Sequence, residues 1–381
     1  MDYLRFLTIG RLAKAAYGVV VALVLAEIGI ALFVPQQEAL QKDLIERDPD
    51  LGFRMRPQYR GTLNETDIPL HINTWGLRDR EYGPKAPDTL RIYAIGDSMV
   101  FGHGVPIEET FPRYMEKLLA ERLSRPVEVV NGGVPGYGTV QAAEFFAQTV
   151  DLVDPDVVLL SIAVFNDLED NVKFGKQLYR WQRDPSLFQR WRTWLRHNSQ
   201  VYRMFRRYRA GVSGRQMMQI HSDEPPPRVQ RGIDLTEQSL VRIAEIADER
   251  DIAFAVVVNP AHKQASAGEW ADTLLRYQLD PNEFRYDHPN RLLVSVARAH
   301  GLPILDLLEV FRSRPEENYY FSEHRKAPGH QLVAREISSF LFSNRLVDRR
   351  PVGREARDRF ARNGSDSAGA PPQNPPDSHQ P

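Results

Sequence analysis

The 381-residue chain contains no cysteine. That excludes disulfides, thiolate nucleophiles and cysteine-ligated metals, though it does not fix the compartment. Excess charge is missing as well. Forty-nine Lys and Arg against 50 Asp and Glu leave a formal net charge of −1, which offers nucleic acid no attracting field. No internal repeat and no metal-ligand spacing is present, so neither a metal nor any other cofactor is expected. What is present is an ordinary globular composition, 42% hydrophobic and 26% charged, sufficient for a packed core.

One long apolar run stands out. From Tyr17 to Val34 nearly every residue is apolar, with Arg5, Arg11 and Lys14 before it and Pro35-Gln36-Gln37-Glu38 after. A helix of about 20 residues spans the hydrocarbon core. No small-residue cleavage site follows, so residues 15–34 are expected to be an uncleaved anchor and not a signal peptide. The preceding positive charges put residues 1–14 in the cytoplasm and the rest beyond the inner membrane, in a periplasm or its equivalent. Glu27 interrupts the run. It is either a contact with a partner inside the bilayer or a tolerated, protonated side chain.

After a polar connector (35–69), short Val- and Ile-rich strands are expected at Leu90–Ile95, Val127–Val130, Val157–Ile162, Ile252–Val258 and Pro303–Leu307. Helical patterns lie near 110–123, 139–151, 236–250, 287–299 and 328–343. Such alternation implies a mostly parallel sheet covered on both faces, with sites at the carboxyl ends of its strands. A helical insertion rich in Arg and Trp is expected over 171–232, and a disordered tail of low apolar content over 349–381. In the insertion Leu187, Phe188, Trp191, Trp194 and Leu195 share a helical face among Arg190, Arg192 and Arg196. That face either packs on the main domain or meets anionic lipid or acidic glycan.

The chemistry gathers at the strand ends. The first strand runs into Gly96-Asp97-Ser98, which presents a hydroxyl after a turn-permitting glycine. The second ends in Asn131-Gly132-Gly133-Val134-Pro135-Gly136, whose backbone N–H groups can face an anionic oxygen before a helix. The third ends in Val164-Phe165-Asn166-Asp167, with a side-chain amide. After the fifth come Ser322-Glu323-His324 and then Gly329-His330. A hydroxyl, N–H donors, an amide and an imidazole at one edge form an inventory for acyl transfer.

In these blocks and their order the chain resembles the SGNH hydrolases, also called GDSL hydrolases, over roughly residues 70–345. The resemblance implies Ser98 as nucleophile, His324 as its base, and the N–H groups of Ser98 and Gly136 with the Asn166 amide as the oxyanion hole. It also implies an aspartate two or three residues before the histidine, where this chain has Ser322 and Phe321. Ser322, Glu323 or a backbone carbonyl is left as the orienting group, although Glu323 should point away from its neighbour. His103 and His262 are possible substrate contacts, and His330 is expected to be structural.

The expected architecture is an α/β fold: a three-layer α/β/α sandwich around a flavodoxin-like parallel sheet of about five strands. It carries the helical insertion and follows an N-terminal transmembrane helix, with the hydrolase-like domain over 70–348. The expected activity is hydrolysis or transfer of an ester-linked acyl group, acetyl above all, on an envelope carbohydrate or lipid. A non-catalytic glycan-binding or scaffold domain is the remaining alternative.

Overall fold

The computed structural model describes residues 2–33, 43–63, 67–181, 187–202, 204, 215, 217–314, 319–321 and 323–348. The tail over 349–381 and Ser322 lie outside them. The chain opens with helix α1 (Asp2–Phe33). Two antiparallel hairpins follow, β1 (Ile45–Asp48) with β2 (Gly52–Met55) and β3 (Arg60–Thr62) with β4 (Pro69–His71). They occupy the stretch read from sequence as a polar connector. Leu44, Leu51, Met55, Leu63 and Leu70 are buried there, each within the main core. Single leucines among polar neighbours give no periodic signal, yet each finds a place against the domain.

The centre is a sheet of five parallel strands in the order β6-β5-β7-β8-β9. These are β5 (Leu90–Gly96), β6 (Val127–Gly133), β7 (Val157–Ala163), β8 (Ala253–Asn259) and β9 (Ile304–Asp306). Nearly continuous Val, Ile, Leu and Ala make β5, β7 and β8 buried on both faces, as a parallel sheet requires. Alternate side chains serve opposite layers. Tyr93 and Ile95 pack in one core with α4 (Thr139–Val153), α7 (Pro227–Asp248) and α8 (His288–Ala299). Ile92 and Ala94 pack in the other with α3 (Phe111–Leu123) and the last long helix, α9 (Ala327–Ser343). The order reverses between β5 and β7, and at such a switch point a crevice opens beyond the strand ends.

Between β7 and α7 come α5 (Asp167–Trp181) and α6 (Leu187–Asn198). On α6, Leu187, Phe188, Trp191 and Trp194 are exposed and Leu195 is half-buried, so most of this face is not packed on the main domain. On α1, Val19, Val20, Leu23, Val24, Leu25 and Ile28 are exposed too. Among the described residues no helix is long and apolar enough to cross a membrane. Described side chains in α1 run only from Lys14 to Ile30, short of Val34, and the fold does not establish the expected span over 15–34.

Candidate active site

Ser98 follows the last residue of β5 by two and opens the one-turn helix α2 (Ser98–Phe101). Gly96 makes that junction possible. Its φ is +150°, and a Cβ there would lie 2.6 Å from the Ser161 carbonyl oxygen. Asp97 caps α2, its carboxylate accepting from the Met99 N–H at 2.9 Å. The other end is held by Arg78, whose buried guanidinium donates to the carbonyls of Phe101 (2.9 Å), Gly102 (2.7 Å) and Val105 (2.7 Å). A cation there complements the unpaired carbonyls of the helix terminus. Nothing in the spacing of the sequence flagged Arg78.

His324 begins β11 (His324–Arg325), which pairs with β10 (Tyr320–Phe321) in a short hairpin before α9. Its Nε2 lies 3.0 Å from Ser98 Oγ. With the proton on Nδ1, the hydroxyl can donate to Nε2; its other acceptor is Asp97 Oδ2 at 3.3 Å. Three rings surround the imidazole, with centroids at 4.5 Å for His103, 5.9 Å for Phe321 and 6.3 Å for Phe165. Burial, then the neighbouring His103 and Arg325, push the His324 pKa down to about 4. Among the described residues no carboxylate acts on it. Glu323 instead accepts from the His262 N–H at 3.3 Å, and the His262 ring stacks on Tyr320 at 5.0 Å, on the far side of the hairpin. His330 is buried, its Nδ1 accepting from the Phe111 N–H at 3.2 Å, which ties α9 to α3.

The donors come from the neighbouring strands. After β6 the chain turns through Val134-Pro135-Gly136-Tyr137, with the Tyr137 N–H returning to the Val134 carbonyl at 3.1 Å and Gly136 at φ +86°. Proline second and a positive-φ glycine third are what a type II turn demands. The Val134 N–H also donates to the Gly96 carbonyl at 3.0 Å, pinning this loop to the nucleophile strand. After β7, Asn166 precedes α5 and its Nδ2 donates to Asp170 at 3.0 Å. That engages one amide hydrogen and leaves the second available.

Beneath the site lie buried carboxyl groups. Burial raises Asp97 to about 6 and holds Asp167 well above the usual carboxylate range, while Asp170 is raised as well. Arg325, also buried, donates to Asn259 Oδ1 at 2.7 Å and is the cation that offsets Asp97. A cavity of 590 Å³ lies beyond the 102–108 loop, lined by Arg60, His71, Arg78, Arg80 and Arg113 among others, but not by Ser98 or His324. Among the described residues no cluster of His, Asp and Glu could hold a metal. A serine hydroxyl 3.0 Å from an imidazole can lose its proton to that ring and attack a carbonyl.

A family model described as the GDSL-like lipase/acylhydrolase family matches residues 94–332. No curated protein matches the chain. Distant likenesses exist among solved structures. An acetylxylan esterase from Geobacillus stearothermophilus is 13% identical, covering 68% of this chain and 96% of its own at a TM-score of 0.40. A lipase/acylhydrolase from Enterococcus faecalis is 14% identical, covering 67% and 96% at 0.38. The psychrotrophic esterase EstA from a Pseudoalteromonas species is 10% identical, covering 66% and 97% at 0.38. None of these likenesses bears on what this chain acts on.

Proposed function

The chain belongs to the GDSL-like lipase/acylhydrolase family and is an ester-hydrolysing enzyme; from that premise we propose that Ser98 and His324 perform its chemistry as a pair without a carboxylate partner. The observation that carries this reading is the 3.0 Å approach of His324 Nε2 to Ser98 Oγ at the switch point of the sheet. Ser98 Oγ attacks the ester carbonyl while His324 Nε2 takes its proton. The carbonyl oxygen becomes an oxyanion facing the N–H groups of Ser98 and Gly136 and the Asn166 amide. Collapse expels the alcohol, which receives the proton from His324, and leaves acyl-Ser98. Water, activated by the same imidazole, releases the acid. A sugar hydroxyl in place of water would make the enzyme a transferase with the same residues. A depressed pKa keeps His324 neutral and ready at neutral pH, and makes it a weaker base.

The substrate in this reading is a short acyl ester, acetyl above all, on a carbohydrate or lipid of the cell envelope. Support for that location comes from the apolar run over 15–34, its preceding Arg5, Arg11 and Lys14, and the exposed aliphatic side chains of α1. The protein would then be a single-pass inner-membrane protein with its enzyme domain outside the cytoplasm. A fluorophosphonate probe tests the chemistry. One equivalent should attach at Ser98, mapped by peptide mass spectrometry, and none to Ser98→Ala. Stoichiometric labelling at another serine would remove the assignment.

A further inference from the structure

Glu27 is the single charged residue in the apolar run of α1, and it is not unpartnered. Its carboxylate accepts from the Ser199 hydroxyl and from the N–H groups of Gln200 and Val201, the last at 3.4 Å. Ser199 Oγ in turn accepts from the Tyr202 N–H at 3.0 Å. Ser199 thus caps the helical residues 200–202, and Glu27 takes up N–H groups that the first turn leaves free. Two sequence positions 172 apart are joined by charge-assisted hydrogen bonds on the side of an otherwise apolar helix.

This contact sets a depth. Glu27 stands six residues before the end of α1 at Phe33, about 9 Å along the axis. If α1 spans the bilayer, whatever touches Glu27 lies within the outer leaflet. Ser199 follows directly on Asn198, the last residue of α6. Four large side chains are bare on the helix that ends beside this contact, from Leu187 at 83% exposure to Trp191 at 55%. Tryptophan is the residue type enriched where hydrocarbon meets headgroups. The same helix carries Arg190, Arg192 and Arg196 and no acidic residue, which suits anionic headgroups.

We infer that the insertion is a second membrane element: α6 lies in the outer-leaflet interface of an anionic bilayer, held there by Glu27 of α1. The inference rests on the anchoring reading above. Its consequence is positional. The chain that carries Asn166 continues as α5 and then α6, so the enzyme domain would be tethered to the membrane surface at a second point, close to lipid-borne or membrane-proximal esters.

The absence of cysteine makes the test clean, because any thiol introduced into the full-length chain is unique. Leu23→Cys on α1, Trp191→Cys on α6 and Leu275→Cys on the exposed 267–277 helix would each carry an environment-sensitive fluorophore. The proteins are reconstituted into phosphatidylcholine–phosphatidylglycerol vesicles. Positions 23 and 191 should emit blue-shifted and be quenched by lipid-borne nitroxide, while 275 should be quenched by aqueous iodide only. Adding Glu27→Ala should cut lipid quenching at 191 severalfold and leave 23 unchanged. Lipid exposure at 23 with water exposure at 191 overturns the inference and spares the anchor. Water exposure at both overturns the two together. A blue shift at 191 that needs added acidic polysaccharide and shows no lipid quenching overturns it in favour of a glycan surface.

Discussion

Ser98 and His324 meet at 3.0 Å from surroundings of opposite kinds. Ser98 is held by backbone: a glycine junction, a capped single turn, and Arg78 gripping three carbonyls at the far end. His324 is held by rings, with His103, Phe321 and Phe165 around it and, among the described residues, no carboxylate acting on it. A hydrogen-bonded carboxylate would fix the tautomer and stabilise the imidazolium. Packing can fix orientation alone, and burial, with His103 and Arg325 nearby, pushes the pKa down. The nucleophile is rigidly presented to a base that is well oriented and weak.

The largest effect should follow from breaking the base side. His324→Ala should lower kcat/KM on a short acyl ester by at least about 10³-fold, with an unchanged melting temperature, because the imidazole that takes the hydroxyl proton and returns it to the leaving alcohol is then missing. Removing the donor side is next. Asn166→Ala should cost about 10²-fold in kcat, the usual effect of one oxyanion donor, with KM little changed. Steady-state kinetics on both variants read the two halves separately.

The pH profile sharpens the comparison. His324 works only when neutral, so activity falls as pH drops through its folded pKa. That pKa is pushed down to about 4 from 6.5, so the acid limb of kcat/KM should lie near pH 4. A limb near 6.5 would mean that burial does not lower His324. His103 is one of the groups lowering His324, so His103→Asn should move the limb upward and change the rate at pH 7 by less than about tenfold. The smallest effect belongs to Glu323→Gln. Its carboxylate faces the His262 N–H, so kcat/KM should change by less than about tenfold, or about 1.4 kcal/mol. A loss of several hundredfold in a folded Glu323→Gln protein would mean that an acid serves the base after all.

Much of this was legible because it is local. Val- and Ile-rich runs mark β5, β7 and β8, and Pro135-Gly136 writes its own turn. Ser98, Gly136 and Asn166 follow strands of the parallel sheet, and the hairpin before α9 brings His324 to Ser98. What stayed hidden depends on distant partners. Arg78 acts on carbonyls more than 20 positions away, and an Arg in a polar stretch announces nothing. The leucines of β1–β4 enter the core singly. His103 reaches His324 only because α2 is a single turn that ends at Gly102. Glu27 was readable as a misfit in an apolar run, but not its partner Ser199.

The most direct measurement is p-nitrophenyl acetate hydrolysis by wild type and Ser98→Ala, prepared side by side with their melting curves. Wild type should turn over, and Ser98→Ala should fall to the uncatalysed background while melting at the same temperature, since only one nearly buried hydroxyl is removed. Equal turnover by the two proteins would contradict the account at its centre.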